Sequence, residues 1–283
     1  MSLTLAQLQQ LKRQAGGAAA RLPPEPPAKA PSNLDLDTLR GLLRIRARPI
    51  QTQRGGDRRL PGHEVAPGLH LVEEFVPDGA VPKEFEGAFD RGEAISAEDL
   101  LFFDTETTGL AGGTGTRAFM VGAADWCRNR LRIRQLTITT TAAEPAMLDI
   151  LASWVHPQSV LCSYNGKSFD APLLATRYRL ARRSHPLTGL RHVDLLYPTR
   201  RRYKGVYENC RLATIERQVL KIVREDDLPG AEAPGAWLSY LRGGDSSLLR
   251  RVFDHNRQDV ITLSRLIRHL AETEPPPTES CCL

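Results

Sequence analysis

The chain has little of what would take a protein out of a reducing, aqueous compartment. No apolar run in its 283 residues approaches the ~20 that a membrane span requires. The opening MSLTLAQLQQLKRQAGG has no basic stretch followed by an apolar core, so a secretory signal is not expected. Cysteine is sparse and odd in number. Cys127, Cys162, Cys210, Cys281 and Cys282 form no CxxC pair and no Cys/His spacing of zinc type, which argues against a disulfide scaffold and a structural metal. The closing CCL follows Ser280, where a prenylation signal would need cysteine. No internal repeat is visible. A cytoplasmic location is the expectation these absences leave.

Hydrophobic residues make up 41% and charged residues 25%, as in an ordinary globular protein with a substantial core. The net charge of +5 is unevenly spread. From Arg177 to Arg211 run Arg177, Arg179, Arg182, Arg183, Arg191, Arg200, Arg201, Arg202, Lys204 and Arg211, against only Asp194 and Glu208. For any single arginine a solvated helix face is the ordinary explanation. The segment as a whole suits a polyanion, because guanidinium groups grip phosphate in bidentate fashion.

Residues 1–59 read as a loosely ordered N-terminal region. Short helices are expected over 3–11 and in LDLDTLRGLLRIRAR, with the proline-rich RLPPEPPAKAPS between them. Residues 60–96, with LHLVEEF as a strand, predict a small β extension packed on the main domain. The main domain is expected over 97–272 and a disordered tail over 273–283. Within it AEDLLFFDTETT, AFMVGAADWC and RLRIRQLTITT read as three successive strands. AEPAMLDILASWV follows as a helix, SVLCSYN as a strand, FDAPLLATRYRLARR as a helix and HVDLLY as a further strand. The remainder is helical with glycine breaks. This order predicts an α/β fold, a mixed β-sheet flanked by helices.

Three short motifs carry chemistry. In LFFDTETTG an apolar strand ends in Asp104 and Glu106, two residues apart and therefore on one face. Like charges so close oppose each other's ionisation, and a hard divalent cation, magnesium or manganese, would relieve them. Two carboxylates facing water at a strand end are the plain alternative. In SYNGKSFDAPLL a strand gives way to a helix at Asp170, which is equally well placed as a helix cap ahead of Pro172. In FDHNRQDVITL, His255 and Asp259 stand four apart on one helix face, an arrangement that a surface contact also explains. Thr107, Asn165 and Lys167 beside these motifs, and Arg200, Arg201 and Arg202, are candidate substrate contacts. Asp194 reads as structural. GLAGGTGTRAF lacks the lysine of a phosphate-binding loop and reads as a flexible turn beside the site.

Asp-x-Glu, Asn-x-x-x-Phe-Asp and a histidine four before an aspartate together resemble the DEDD exonucleases. More specifically, LFFDTETTGLAGGTGTRAFMVGAADW, YNGKSFDAPLL, HVDLLYPTRRR and AWLSYLRGGDSSLLRRVFDHNRQDV resemble the YprB-type RNase H-like family over roughly 60–270. The resemblance implies an RNase H-like fold and 3′→5′ exonuclease activity on nucleic acid; DNA is the expected substrate, a choice that the residues themselves leave open. It further implies two metal ions held by Asp104, Glu106, Asp170 and Asp259, with His255 as general base. His255 stands at the spacing that the tyrosine subtype of these enzymes uses, which leaves the subtype open. A repair partner such as a helicase, docking through residues 1–59, is a further expectation. Competing readings are an exoribonuclease, a nucleic-acid-binding scaffold on the same fold, and a phosphatase of the haloacid dehalogenase type. The last leaves Asp170, His255 and Asp259 unexplained.

Overall fold

The computed structural model describes residues 56–109 and 114–272. The helices expected over 3–11 and 34–48, the tail 273–283 and residues 110–113 of the glycine-rich turn lie outside the described residues. Strands β1 (His63–Ala66) and β2 (Leu69–Val76) form a hairpin, and β3 (Glu84–Phe85) pairs with β4 (Ile95–Ser96). Then come β5 (Leu100–Thr107), β6 (Ala118–Cys127) and β7 (Arg130–Ile138) as a meander. Helix α1 (Glu144–Ser153) leads to β8 (Val160–Ser163), and α2 (Asp170–Leu180) to β9 (His192–Asp194). Helices α3 (Leu196–Tyr203) and α4 (Leu212–Ile215) follow, the latter running into a π-helical turn at Glu216–Leu220. Helices α5 (Ala233–Leu241) and α6 (Ser247–Glu272) complete the described chain.

Seven strands form one sheet in the order β1-β2-β7-β6-β5-β8-β9. Pairing is antiparallel from β1 through β5 and parallel from β5 through β9. The stretch 60–96 thus gives β1 and β2 to the edge of the same sheet, while β3 and β4 stand apart. The β6–β7 turn is made by Arg128 and Asn129, both at positive φ, the backbone that a two-residue hairpin requires.

Strand β5 is sandwiched, which is why LLFF is apolar without interruption. Leu101 and Phe103 join Leu148 of α1 with Leu174 and Tyr178 of α2 in one core. Leu100 and Phe102, on the opposite face, join Val260, Leu263 and Ile267 of α6 in the other. Burying four such side chains at ~2 kcal/mol each holds the strand in place, and its acidic end is carried along.

Two elements differ from the expected pattern. HVDLLY is a strand only to Asp194; Asp194 Oδ1 accepts the Leu196 N–H at 3.1 Å, and α3 starts there. Residues 56–59 are tied to the helical part of the chain. Arg58 donates to the carbonyls of Tyr240 (3.1 Å) and Gly244 (2.5 Å), and the Asp57 carbonyl accepts from the Ser246 N–H at 2.8 Å.

Candidate active site

The register of β5 creates the site. Its parallel partner β8 pairs only with Leu100–Phe102, whereas β6 stays paired as far as Thr107, with a register shift between Glu106 and Thr107. From Asp104 onward one edge of β5 is therefore uncovered, and the start of α2 arrives there. The Thr105 hydroxyl donates a short hydrogen bond to Asp170 Oδ1. The turn before α2 is tight: a Cβ on Gly166 would lie 2.4 Å from Ser163 Oγ and 3.1 Å from Asp170 Oδ2. Asp194, completely buried, braces this turn by accepting the N–H of Asn165 (2.6 Å) and of Lys167 (3.1 Å).

On the other face, α6 brings His255 and Asp259 to Glu106. One ligand atom from each of these three lies within 4.8 Å of the others, and His255 Nε2 is 3.5 Å from Asp259 Oδ2. Asp104 is held from beneath by a residue that the motifs did not reveal. Asn256 Nδ2 donates to Asp104 Oδ2 at 3.0 Å, while Asn256 Oδ1 accepts from Gln135 Nε2 at 3.0 Å. Gln135 also donates to the Phe253 carbonyl at 2.8 Å. Asn256 reaches this position only because residue 122 is glycine: a Cβ there would lie 2.1 Å from its Oδ1. A sequence signal for Asn256 exists. Along α6 the buried positions Leu249, Val252, Asn256, Val260, Leu263, Ile267 and Leu270 follow helical spacing, and Asn256 is the amide in that otherwise apolar stripe.

A second unforeseen residue is Arg224. It forks Glu216, itself 1% exposed, with Nε–Oε2 at 2.7 Å and Nη2–Oε1 at 2.6 Å, and the same Nη2 makes a short contact to Asp259 Oδ1. Glu216 also accepts from the Thr262 hydroxyl of α6. Arg224 lies on the irregular stretch after the π-helical turn, where no periodicity marks it.

The carboxylates are poorly reconciled with one another. Burial, followed by the Asp259, Asp170 and Glu106 charges, holds Asp104 well above the usual carboxylate range. Burial pushes Glu106 up to about 8, with His255 opposing it. Burial also pushes Asp170 up to about 6 against the Thr105 hydrogen bond. At His255 burial acts to lower the pKa, but the Asp259, Asp227 and Glu106 carboxylates outweigh it and the value is raised. Crowded, half-desolvated oxygens of this kind fit hard divalent cations, which would supply the missing positive charge.

Beside Asp104 and Asp170 opens a cavity of 340 Å³ that Thr107, Tyr164, Asn165 and Phe169 also line; Phe169 is 59% exposed. Thr107 and Asn165 are thus brought to the site. Lys167 is exposed outside this lining. The three arginines of α3 part company: Arg200 and Arg201 are both exposed, but Arg201 donates to the Phe89 carbonyl at 2.5 Å, and the half-buried Arg202 donates to the Leu270 carbonyl at 3.3 Å. Further back in the basic segment, Arg177 is buried against Glu144 and Arg183 is paired with Asp149.

The family model of the RNase H superfamily matches residues 101–271. Over 181 residues the chain is 37% identical to the "Uncharacterized protein YprB" of Bacillus subtilis (strain 168), covering 64% of this chain and 44% of that relative, so it spans less than half the relative's length. Similar solved structures include the family B DNA polymerase of the hyperthermophilic archaeon Pyrobaculum calidifontis, at 14% identity and TM-score 0.45, over 73% of this chain and 29% of that one. The zinc-bound E. coli ExoI–ssDNA complex is similar at 15% identity and TM-score 0.37, over 55% and 42%.

Proposed function

The chain belongs to the RNase H superfamily, and we propose that it is a metal-dependent nuclease, an exonuclease that shortens nucleic acid from the 3′ end with DNA as the preferred substrate. The reading rests on one observation: acids from β5, from the start of α2 and from α6 meet an imidazole at the uncovered edge of the sheet. Asp104, Glu106, Asp170 and Asp259 would hold two divalent cations, magnesium or manganese. When bound, such cations neutralise the phosphoryl oxygens and acidify water. His255 Nε2, beside Glu106 and Asp259, accepts the proton of the attacking water. Thr107 and Asn165 line the cavity and offer hydroxyl and amide groups to the terminal nucleotide. Lys167 and the exposed Arg200 are suited to phosphates further along the strand.

The test uses end-labelled DNA and RNA, single- and double-stranded, with magnesium, manganese or EDTA, run beside Asp104→Ala. Laddering from the 3′ end that disappears in EDTA and in the variant is the expected result. Binding without shortening in every lane would overturn the proposal in favour of a binding scaffold, and equal turnover by Asp104→Ala would remove the acid from the mechanism.

A further inference from the structure

His255 does not stand alone. Its Nδ1 lies 2.7 Å from Asp227 Oδ1, a residue 28 positions earlier on the irregular stretch between the π-helical turn and α5. Neither an aspartate oxygen in its ionised form nor a bare imidazole nitrogen carries a proton, so a contact this short requires a hydrogen on Nδ1. Arg224 Nη1 also approaches Nδ1, at 3.2 Å. A guanidinium only donates, so its contact would demand the opposite tautomer, with Nδ1 bare. The two demands conflict. The shorter, charge-assisted contact to Asp227 decides between them, because the opposite tautomer would set two acceptors 2.7 Å apart.

Asp227 is itself held. Its Oδ2 lies 3.5 Å from Arg224 Nη1, so both carboxylate oxygens have partners. The backbone beneath is fixed by Arg251 of α6, whose guanidinium donates to the Asp226 carbonyl at 3.0 and 3.1 Å and to the Asp227 carbonyl at 3.3 Å. Arg224 thus clamps Asp227 on one side and Glu216 and Asp259 on the other, tying this stretch to the site. His255, 17% exposed, has its second nitrogen turned toward Asp259 and Glu106.

We propose that Asp227 is a positioning residue for His255: its carboxylate accepts the Nδ1 proton, fixes the ring and leaves Nε2 as the nitrogen that takes up a proton. The proposal rests on the nuclease reading for its catalytic consequence, but the tautomer is a property of the folded protein whatever its substrate. An orienting carboxylate behind an imidazole base recurs wherever one nitrogen must be committed to donation so that the other accepts.

The test therefore has two arms. In the first, ¹⁵N-labelled full-length protein with magnesium present is examined by NMR for the nitrogen of neutral His255 that bears hydrogen. Nδ1–H is expected in the wild type and a loss of that preference in Asp227→Ala; an Nε2–H wild type would overturn the proposal even if cleavage were robust. In the second, Asp227→Ala is expected to lower kcat on the order of 10- to 100-fold, with KM for the nucleic acid and the calorimetric magnesium affinity unchanged. Asp227→Glu should recover part of the loss. In a His255→Ala background Asp227→Ala should add nothing further, because a residue acting through His255 has nothing left to act on. An independent, additive loss in that background would assign Asp227 a role of its own and overturn the proposal. If no cleavage is found in the wild type, the nuclease reading fails, and the first arm still decides the tautomer.

Discussion

At the scale of single residues, the site is legible where a residue type is unusual for its setting and illegible where a partner comes from elsewhere in the chain. Asp104 and Glu106 announce themselves because carboxylates at the end of LLFF need a reason. Asn256 was readable as an amide in the apolar stripe of α6, but its purpose was not, since Gly122 and Gln135 lie on other strands. Arg224 and Asp227 belong to a stretch with no period, so only the folded chain brings them to Asp259 and His255. Among buried single groups His192 has a measurable consequence. It contacts Ser163 Oγ at 2.7 Å, and burial pushes its pKa down to about 4 from 6.5. A depressed histidine favours the folded state above the unfolded pKa and loses that contribution as pH falls through the folded one. Stability should therefore decline from pH 6.5 toward pH 4, by about 2–3 kcal/mol at pH 4.5. Urea midpoints at pH 7 and pH 4.5 measure the decline. His192→Gln should remove most of it, and an equal decline in the variant would show that other groups cause the acid loss.

At the scale of elements, period and spacing are sufficient for β5, β6, β7 and α6, each long and packed on one or two apolar cores. They are insufficient for α3: HVDLLY reads as a strand throughout, and only Asp194, accepting the Leu196 N–H from a buried position, shows that a helix begins there. The basic segment is the other instructive case. Charge counting treats its arginines alike, whereas the fold divides them. Arg177 of α2 is 5% exposed and pairs with Glu144 at 2.6 Å through both Nε–Oε1 and Nη2–Oε2, joining α2 to the start of α1. Arg117 reaches the same carboxylate. Arg177→Met leaves the buried Glu144 to Arg117 alone and takes the donor from the Thr114 carbonyl, so a loss of about 1–3 kcal/mol is expected. Chemical denaturation measures this. A loss below ~1 kcal/mol, as for an exposed pair, would contradict the buried assignment.

At the scale of the whole molecule, the acids set a charge problem that the protein alone leaves open. Glu106 at about 8 and Asp170 at about 6 are raised by burial, so each favours the folded state fully below its unfolded value and loses that contribution as pH rises through the folded one. Metal-free protein should therefore lose stability from about pH 4 to about pH 8. Cations that bind the ionised acids should restore it increasingly over the same range. At a concentration of 100 Kd the gain is about 2.7 kcal/mol. Thermal melts in EDTA and in magnesium at pH 6 and pH 8.5 test this: the melting temperature should rise with metal, and more at the higher pH. Indifference to metal at pH 8.5 would argue that these acids hold no cation.

The bond from Asn256 to Asp104 has a temporal meaning as well. It joins a strand to a helix 152 positions later in the chain, and Asp259 enters on that same helix. While a ribosome is still making the polypeptide, β5 emerges as a strand with two acids and none of its later companions. The chemistry proposed for this protein would then be withheld until α6 docks, so a half-made chain cannot cut the nucleic acid around it.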